Sequence, residues 1–325
     1  MKREYFVYQV SYFKPLLMRL ENFGIDTERI IQKSEICHFD LSNSQNYVPT
    51  AVVHDFFSLV RKNIEINELE VNLLDDFSLL ELGSYGSHLA SFSSLHEAIT
   101  SFMESSYMLQ TNIKTDLEIY KNTAVFSFLF SDQHSKGGRV SEYILLVIIR
   151  QLFVFYGGDD WFPIEIHTPI SSISDIQSLF PKGSYTIKYN QSAYRFVFSK
   201  SLLKYEESVN PIMKPAYKEK NITEVIENVI SSYKFGCIPS LKTLAGHFNT
   251  SESSIKRVLK SKEVKFSDIL VHMLQKRAVG LLTNSDMNIN HISEHLGYSD
   301  SPNFIRSFKK WTGVTPGIYR ENLSA

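Results

Sequence analysis

In the last third of the chain, apolar residues recur at helical spacing in short runs, and the runs come in pairs. Ile289, Ile292 and Leu296 fall at i, i+3 and i+7, which predicts a short amphipathic helix, and Gly297 after it supplies the backbone freedom of a sharp turn. Ser301 is placed to cap a second helix, with Pro302 at its first position, where a missing N–H costs nothing. On that helix Phe304, Phe308 and Trp311 share one face, and Asn303, Arg306 and Lys310 the other. An earlier stretch repeats the pattern. Leu241, Leu244, Ala245 and Phe248 line a helix begun at Pro239-Ser240, Asn249-Thr250 makes the turn, and Ser251 caps the next helix. There Ile255, Val258 and Leu259 point inward, and Ser253, Lys256, Arg257 and Lys260 outward. Between the pairs, residues 267–282 predict a packed helix on Leu270, Met273, Leu274, Ala278 and Leu281, about 16 residues and hence roughly 24 Å long.

The first two thirds mix two periods. Leu16, Leu17, Leu20, Ile30 and Ile31 read as a helical pair broken at Asn22-Phe23-Gly24. Pro49-Thr50 opens a helix carrying Val52, Val53, Phe56, Phe57 and Val60, and residues 65–74 read as another. Residues 82–88 read as a loop. A helix over 94–110 follows on Leu95, Ile99, Phe102, Met103 and Met108, with Ser93 or Ser94 and Glu97 as its capping box. At Thr115 the period becomes two: Leu117 and Ile119, then Ala124, Phe126, Phe128 and Phe130, with Lys121-Asn122 between them, predict a β-hairpin. An apolar helix over 140–156 ends at Gly157-Gly158; being apolar nearly all round, it must be buried in its own core, in a partner, or in both. Residues 163–167 read as a strand, 174–179 as a short helix, and 185–189 with 194–198 as a hairpin turned at Asn190-Gln191-Ser192. Residues 206–220, with mixed charge and prolines at Pro211 and Pro215, form a linker, after which 221–233 begins a new helix. The expected fold is an α+β domain over residues 1–205 and, over 221–325, an all-α domain with two helix-turn-helix units joined by a long helix.

Charge sharpens the division. Lys and Arg number 16 against 10 Asp and Glu from residue 214 onward, and 18 against 25 before it, so a basic C-terminal part follows an acidic one. With 325 residues, 43% of them hydrophobic, there is ample material for two cores. Cys37 and Cys237, far apart and without metal-ligand spacing, give neither a disulfide framework nor a zinc site. The N-terminus has no signal-peptide pattern, and Arg150 and Gln151 interrupt the longest apolar run, so a cytoplasmic protein without membrane spans is expected.

The chemistry points to nucleic acid rather than catalysis. A helix fits the major groove of double-stranded DNA by width, Asn reads adenine and Arg reads guanine through paired hydrogen bonds. No serine triad, phosphate loop or dinucleotide fingerprint occurs, and no cofactor or metal is expected. Gly157-Gly158-Asp159-Asp160 is similar to the turn of diguanylate cyclases, but a helix precedes it where that turn needs a strand, so a helix stop is preferred. His291 and His295 have metal spacing without a supporting carboxylate on their face.

Residues 304–320, Phe304-x-Arg306-x-Phe308-Lys309 through Gly313-x-Thr315-Pro316 to Tyr319-Arg320, closely resemble the C-terminal signature of AraC/XylS-type transcription regulators. By position in that family's motif, Ser253, Lys256 and Arg257 in the first unit and Ser301, Asn303 and Arg306 in the second are the base-reading candidates. Lys260, Lys309, Lys310 and Arg320 are the phosphate candidates. Two residues depart from the pattern: Ser293 stands where a small Ala is usual, tolerable if its hydroxyl bonds back to the helix, and Pro302 is less usual at its position. The first half is similar to the N-terminal domain of the AraC-type group that includes ornithine- and arginine-responsive regulators. That likeness rests on Leu82-Gly83-x-Tyr85-Gly86, Ser94-Leu95-x-Glu97-Ala98 and Trp161-x-Pro163-x-x-x-His167. It implies a small-molecule effector, a homodimer and contact with RNA polymerase. The Tyr85–His88 and Trp161–His167 segments offer Tyr85, His88, Trp161 and His167 as effector-binding candidates, the alternative being that Trp161 plugs the core and the histidines bond backbone carbonyls. The expectation is a sequence-specific regulator modulated by an effector; the alternative is a constitutive DNA-binding protein whose first domain serves only dimerisation or protein interaction.

Overall fold

The computed structural model of the protein describes residues 5–22, 24–62, 77–109, 111–130, 138–169, 180, 183–204 and 222–324. It divides into two compact units: Phe6–Cys37 with Thr50–Glu219, and Met1–Tyr5 with His38–Pro49 and Lys220–Ala325. The helices expected over 65–74 and 174–179 and the linker over 206–220 lie outside the described residues.

In the first unit, α1 (Val10–Asn22) ends before Gly24, whose φ of +78° makes the turn, and Asp26 caps α2 (Thr27–Gln32) by accepting the Arg29 N–H at 2.9 Å. Helix α3 (Thr50–Lys62) buries Val52, Val53, Phe56, Phe57 and Val60, the face its spacing predicted. The segment expected as a loop is instead helical: α4 (Ser84–Ala90) starts after Gly83 at φ +63°. Its Gly86 lies so close to the Leu79 carbonyl that an added Cβ would come within 1.8 Å of the oxygen. The glycines that looked like breakers thus serve a helix start and a close backbone approach, neither of which local propensity reports. At the start of helix α5 (Leu95–Leu109) the expected capping box is split between two serines: the Ser94 hydroxyl accepts the Glu97 N–H, and the Glu97 carboxylate accepts the N–H of Ser93 rather than of Ser94, at 3.1 Å.

A five-stranded sheet carries the rest of the core. Strands β1 (Ile113–Ile119) and β2 (Thr123–Phe130) form the expected hairpin with Leu117 opposite Phe126. They are followed by β3 (Glu165–His167), β4 (Thr186–Lys188) and β5 (Tyr194–Ser199), in the spatial order β1-β2-β5-β3-β4. The expected hairpin of the last two strands does not form. Strand β3 inserts between them, antiparallel to β5 and parallel to β4, because Ile166 fills the buried register opposite Phe196. Helix α6 (Gly138–Gly157) covers the sheet. Tyr143 through Ile149, Leu152 and Phe153 are buried within the unit, and the Phe153 ring lies 4.8 Å from Phe198 and 6.1 Å from Phe126. Its apolar surface therefore goes mostly into its own core, with Phe155 left 48% exposed.

The second unit is built on α7 (Ile222–Ser231), α8 (Leu241–His247), α9 (Glu252–Lys260), α10 (Phe266–Asn284), α11 (Ile289–His295), α12 (Ser301–Thr312) and α13 (Pro316–Ser324). The long α10 runs between the two helix pairs, as its spacing predicted. Among the described residues, no helix is long and apolar enough to cross a membrane.

Candidate nucleic-acid interface

Each helix pair is set by caps and a left-handed turn. Ser240 accepts the Thr243 N–H at 3.0 Å to start α8, Asn249 turns the chain at φ +49°, and Ser251 accepts the Ser254 N–H at 3.2 Å to start α9. Ile255 and Leu259 are then buried while Ser253, Lys256, Arg257 and Lys260 are all exposed, so α9 presents a polar, basic face. Lys256 lies 3.8 Å from Glu252, an exposed pair worth a few tenths of a kcal/mol.

The second pair departs from expectation in detail. Asn288 caps α11 and Gly297 turns at φ +82°, but the cap of α12 is Asp300 rather than Ser301, its carboxylate accepting the Asn303 N–H at 2.6 Å. A carboxylate both accepts the bond and meets the positive end of the helix dipole, so it outcompetes the neighbouring hydroxyl. Ser301 instead donates to Asn290 Oδ1 at 2.7 Å, which fastens α12 to α11. The Asn303 amide donates to Asp300 Oδ2 at 2.5 Å and accepts from Arg306 at 2.5 Å, so these two base-reading candidates touch each other and are oriented by Asp300. Arg306, Lys309 and Lys310 are exposed, and Phe304 and Phe308 sit on the opposite, fully buried face with Ala278, Leu282, Ile292 and Leu296.

Two residues change role. Arg320, expected at phosphate, is half-buried and donates to the carbonyls of Leu282, Ser285 and Met287 at 3.4, 3.2 and 2.6 Å, closing the C-terminal end of α10. A planar guanidinium suits several terminal carbonyls at once. Ser293 is 1% exposed, and its hydroxyl, which had to bond back to the helix, meets no hydrogen-bond partner among the described residues. A buried orphan hydroxyl costs about 1–3 kcal/mol. Ser293→Ala is therefore expected to raise the thermal midpoint of this unit by about 1 kcal/mol of stability, and an unchanged or lower midpoint would show that the hydroxyl is satisfied.

The four effector candidates take separate partners. Tyr85 bonds Ser105 Oγ at 3.0 Å and His88 bonds Ser101 Oγ at 3.0 Å, so both lie together on α4 against α5, and burial pushes the Tyr85 phenol up from its usual range. Trp161 stacks on Phe153 at 4.7 Å, in space that Gly157 leaves open: a Cβ there would meet the indole at 2.7 Å. His167 pairs with Glu165, whose carboxyl Lys188 and His167 hold below its usual value. Among the described residues, neither histidine meets the backbone carbonyl expected as its alternative. Among the described residues no group of three or more His, Cys, Asp or Glu could hold a metal, and Cys37 and Cys237 are free thiols. Sequence reasoning missed Asp300, which a run of Asp-Ser before Pro leaves ambiguous between two capping residues, and it missed the cluster of Phe39, Tyr233 and His247, for which no local signal exists.

The family described as a helix-turn-helix domain matches residues 244–322. An ornithine utilization regulator of Pseudomonas aeruginosa is 36% identical over 86 residues, 26% of this chain and 25% of the relative. A transcriptional activator of Escherichia coli, AggR, is 36% identical over 77 residues, 24% of this chain and 29% of that one. The chain thus matches about a quarter of the length of these curated relatives, both of them transcription regulators and not enzymes. Among solved structures, the transcriptional regulator CdpR of Pseudomonas aeruginosa matches this chain at 16% identity and a TM-score of 0.43, over 96% of this chain and 98% of that one.

Proposed function

Because this chain carries a helix-turn-helix domain of the AraC type over residues 244–322, we propose that the protein is a sequence-specific, DNA-binding transcription regulator with two reading heads. The observation that carries this is the pair of capped helices, α9 and α12, each with a packed apolar face and an exposed polar, basic one. The 19 residues of α10 span about 28 Å, against roughly 34 Å between successive major-groove faces, so the heads reach adjacent grooves if their own width or a DNA bend supplies the rest. Ser253, Lys256 and Arg257 read bases in the first head, and Asn303 and Arg306 in the second, with Ser301 beside them. Lys260, Lys309 and Lys310 hold phosphates; Arg320 leaves that set because its guanidinium faces α10.

Arg306→Ala and Arg257→Ala are each expected to weaken specific binding by about 1–3 kcal/mol and relax preference at one base step. Lys310→Ala should instead lower affinity for all sequences alike and reduce the salt slope by about one. Binding titrations on a duplex selected by the protein from a random pool, run beside non-specific DNA at two salt concentrations, decide this. Equal proportional loss of both affinities in the arginine variants would remove them from the reading set.

For the first unit we propose a small-molecule effector site involving Tyr85, His88, Trp161 and His167, and a homodimer, with RNA polymerase as a further contact. The acidic balance of this half favours a cationic or zwitterionic ligand. A second reading, a constitutive regulator whose first unit only dimerises, is favoured by one observation: Trp161 packs between Phe153 and Phe180 in the manner of a core plug. A thermal shift of the full chain with candidate metabolites separates the two, since a bound ligand raises the midpoint of the state it prefers. The full chain is also expected to sediment as a dimer at tens of micromolar, an ordinary range for such affinities. Sedimentation as a monomer there would end that part of the reading.

A further inference from the structure

The segment His38–Pro49 belongs to the first half of the sequence yet folds with the second unit. Phe39 is fully buried, its ring 4.4 Å from Tyr233 and 5.7 Å from His247. Around it the segment is fastened by an antiparallel bridge between Phe39 and Tyr233 and by three backbone donors: Asp40 N–H to the Ser232 carbonyl at 2.8 Å, Lys234 N–H to the His38 carbonyl at 2.8 Å, and Tyr47 N–H to Ser232 Oγ at 2.7 Å. A strap held this way pins the loop over residues 231–236.

That loop meets both heads and the rod between them. Tyr233 Oη lies 2.6 Å from His247 Nδ1, a buried bond to α8 of the first head. Arg277 of α10 donates to the carbonyls of Ser231 and Tyr233 at 3.0 and 2.5 Å and lies 4.8 Å over the Phe235 ring. Phe235 in turn packs 4.5 Å from His295 of α11, and an added Cβ on Gly297, at the turn of the second head, would come within 3.3 Å of the Gly236 carbonyl. The rod packs into the core of the second head through Ala278 and Leu282, and the loop adds a tie that reaches both heads, so that the two are framed from a second side.

Resting on the reading of this unit as a two-headed DNA-binding domain, we infer that the strap His38–Pro49 is a positioning element of the DNA interface: Phe39 holds the 231–236 loop, and the loop sets the spacing of the two heads. The strap continues covalently at Cys37 and at Thr50 into the other unit.

The test uses the full chain and a duplex that the wild-type protein selects from a random pool, together with the same duplex carrying one extra base pair between its two half-sites. Phe39→Ala is expected to lose on the order of tenfold in affinity for the selected duplex while keeping its non-specific affinity. It should also tolerate the inserted base pair better than wild type, because heads no longer framed adapt to either spacing. Phe39→Leu, which refills most of the cavity, should restore the discrimination between the two duplexes. Ser232→Ala, which removes the Tyr47 anchor together with the hydroxyl's bond to the Asn228 carbonyl at 2.6 Å, should shift that discrimination the same way as Phe39→Ala, more weakly, and it serves as the test if the larger cavity prevents folding. A ratio of affinities for the two duplexes equal to wild type in these folded variants would overturn the inference and leave Phe39 a core residue only. Should wild type select no sequence at all, the DNA-binding reading fails first, and the strap has no interface to position.

Discussion

Replacing Phe308 by alanine is expected to cost about 3–5 kcal/mol and to remove α12 from the fold, the range seen for emptying a large aromatic site in a core that collapses only partly. Phe308 is fully buried, with ring centroids 5.8 Å from Phe304, 6.4 Å from Trp311 and 5.4 Å from Tyr319. The cluster it belongs to joins α10, α11 and α12 and includes Ile292 from the helix before the turn and Leu282 from the rod, with Trp311 and Tyr319 among the partly buried apolar side chains packed against it. The position of Arg306 depends on this face, since the packing beneath α12 carries the helix on which Asn303 and Asp300 orient its guanidinium. Amide exchange over residues 289–312 should report the loss, and DNA binding should lose the second half-site while retaining the first. Exchange rates changed by less than about 1 kcal/mol of opening free energy would show that the site repacks.

Acid is expected to destabilise the first unit well before its carboxylates titrate. His54 is 4% exposed on α3, with Tyr8 Oη at 3.3 Å from its Nε2, and burial lowers its pKa from 6.5 to about 4. The unfolded chain takes up the proton at about 6.5, the folded chain only at about 4, so the unfolded state binds more protons throughout the interval. Stability contributed by the neutral imidazole is complete above pH 6.5, falls as pH decreases, and is lost by about pH 4, a change of about 3 kcal/mol for the shift. Chemical unfolding of the first unit between pH 7.5 and pH 4 measures the slope, and His54→Gln should flatten it. An unaltered profile in that variant would assign the acid sensitivity to other groups.

Much of the reading unit was legible because it is local. Caps, turns and a 3.6-residue period act over a few residues, so the helix start at Ser240, Ser251 as a cap, Gly297 as the turn, and the inward faces of α9 and α12 follow from composition at close range. The same holds for the hairpin of β1 and β2, whose alternation and short turn lie together in sequence. Where two capping residues adjoin, as at Asp300 and Ser301, local rules name the neighbourhood and the competition for one N–H decides the residue.

What the chain's own order could not reveal depends on which distant groups meet. A two-residue period makes residues 186–188 and 194–199 strands but does not say which strands they pair with, and β3 came between them because Ile166 fills a buried register across from Phe196. Glycine marks conformational freedom without stating its use, so Gly86 read as a break although it lies in a helix pressed against a carbonyl. Arg320 and Ser293 carried charge and hydroxyl in the sequence, and only their surroundings made one a helix closure and the other an unpartnered group. From its sequence alone, then, this protein's helix pairs, the turns between them and the polar face each presents were determined, since short-range sterics and hydrogen bonding specify them. The order of the sheet, the inward turn of Arg320 and the segment that carries Phe39 into the second unit were decided by tertiary structure, because burial rewards contacts by shape and desolvation, irrespective of how far apart the residues stand along the chain.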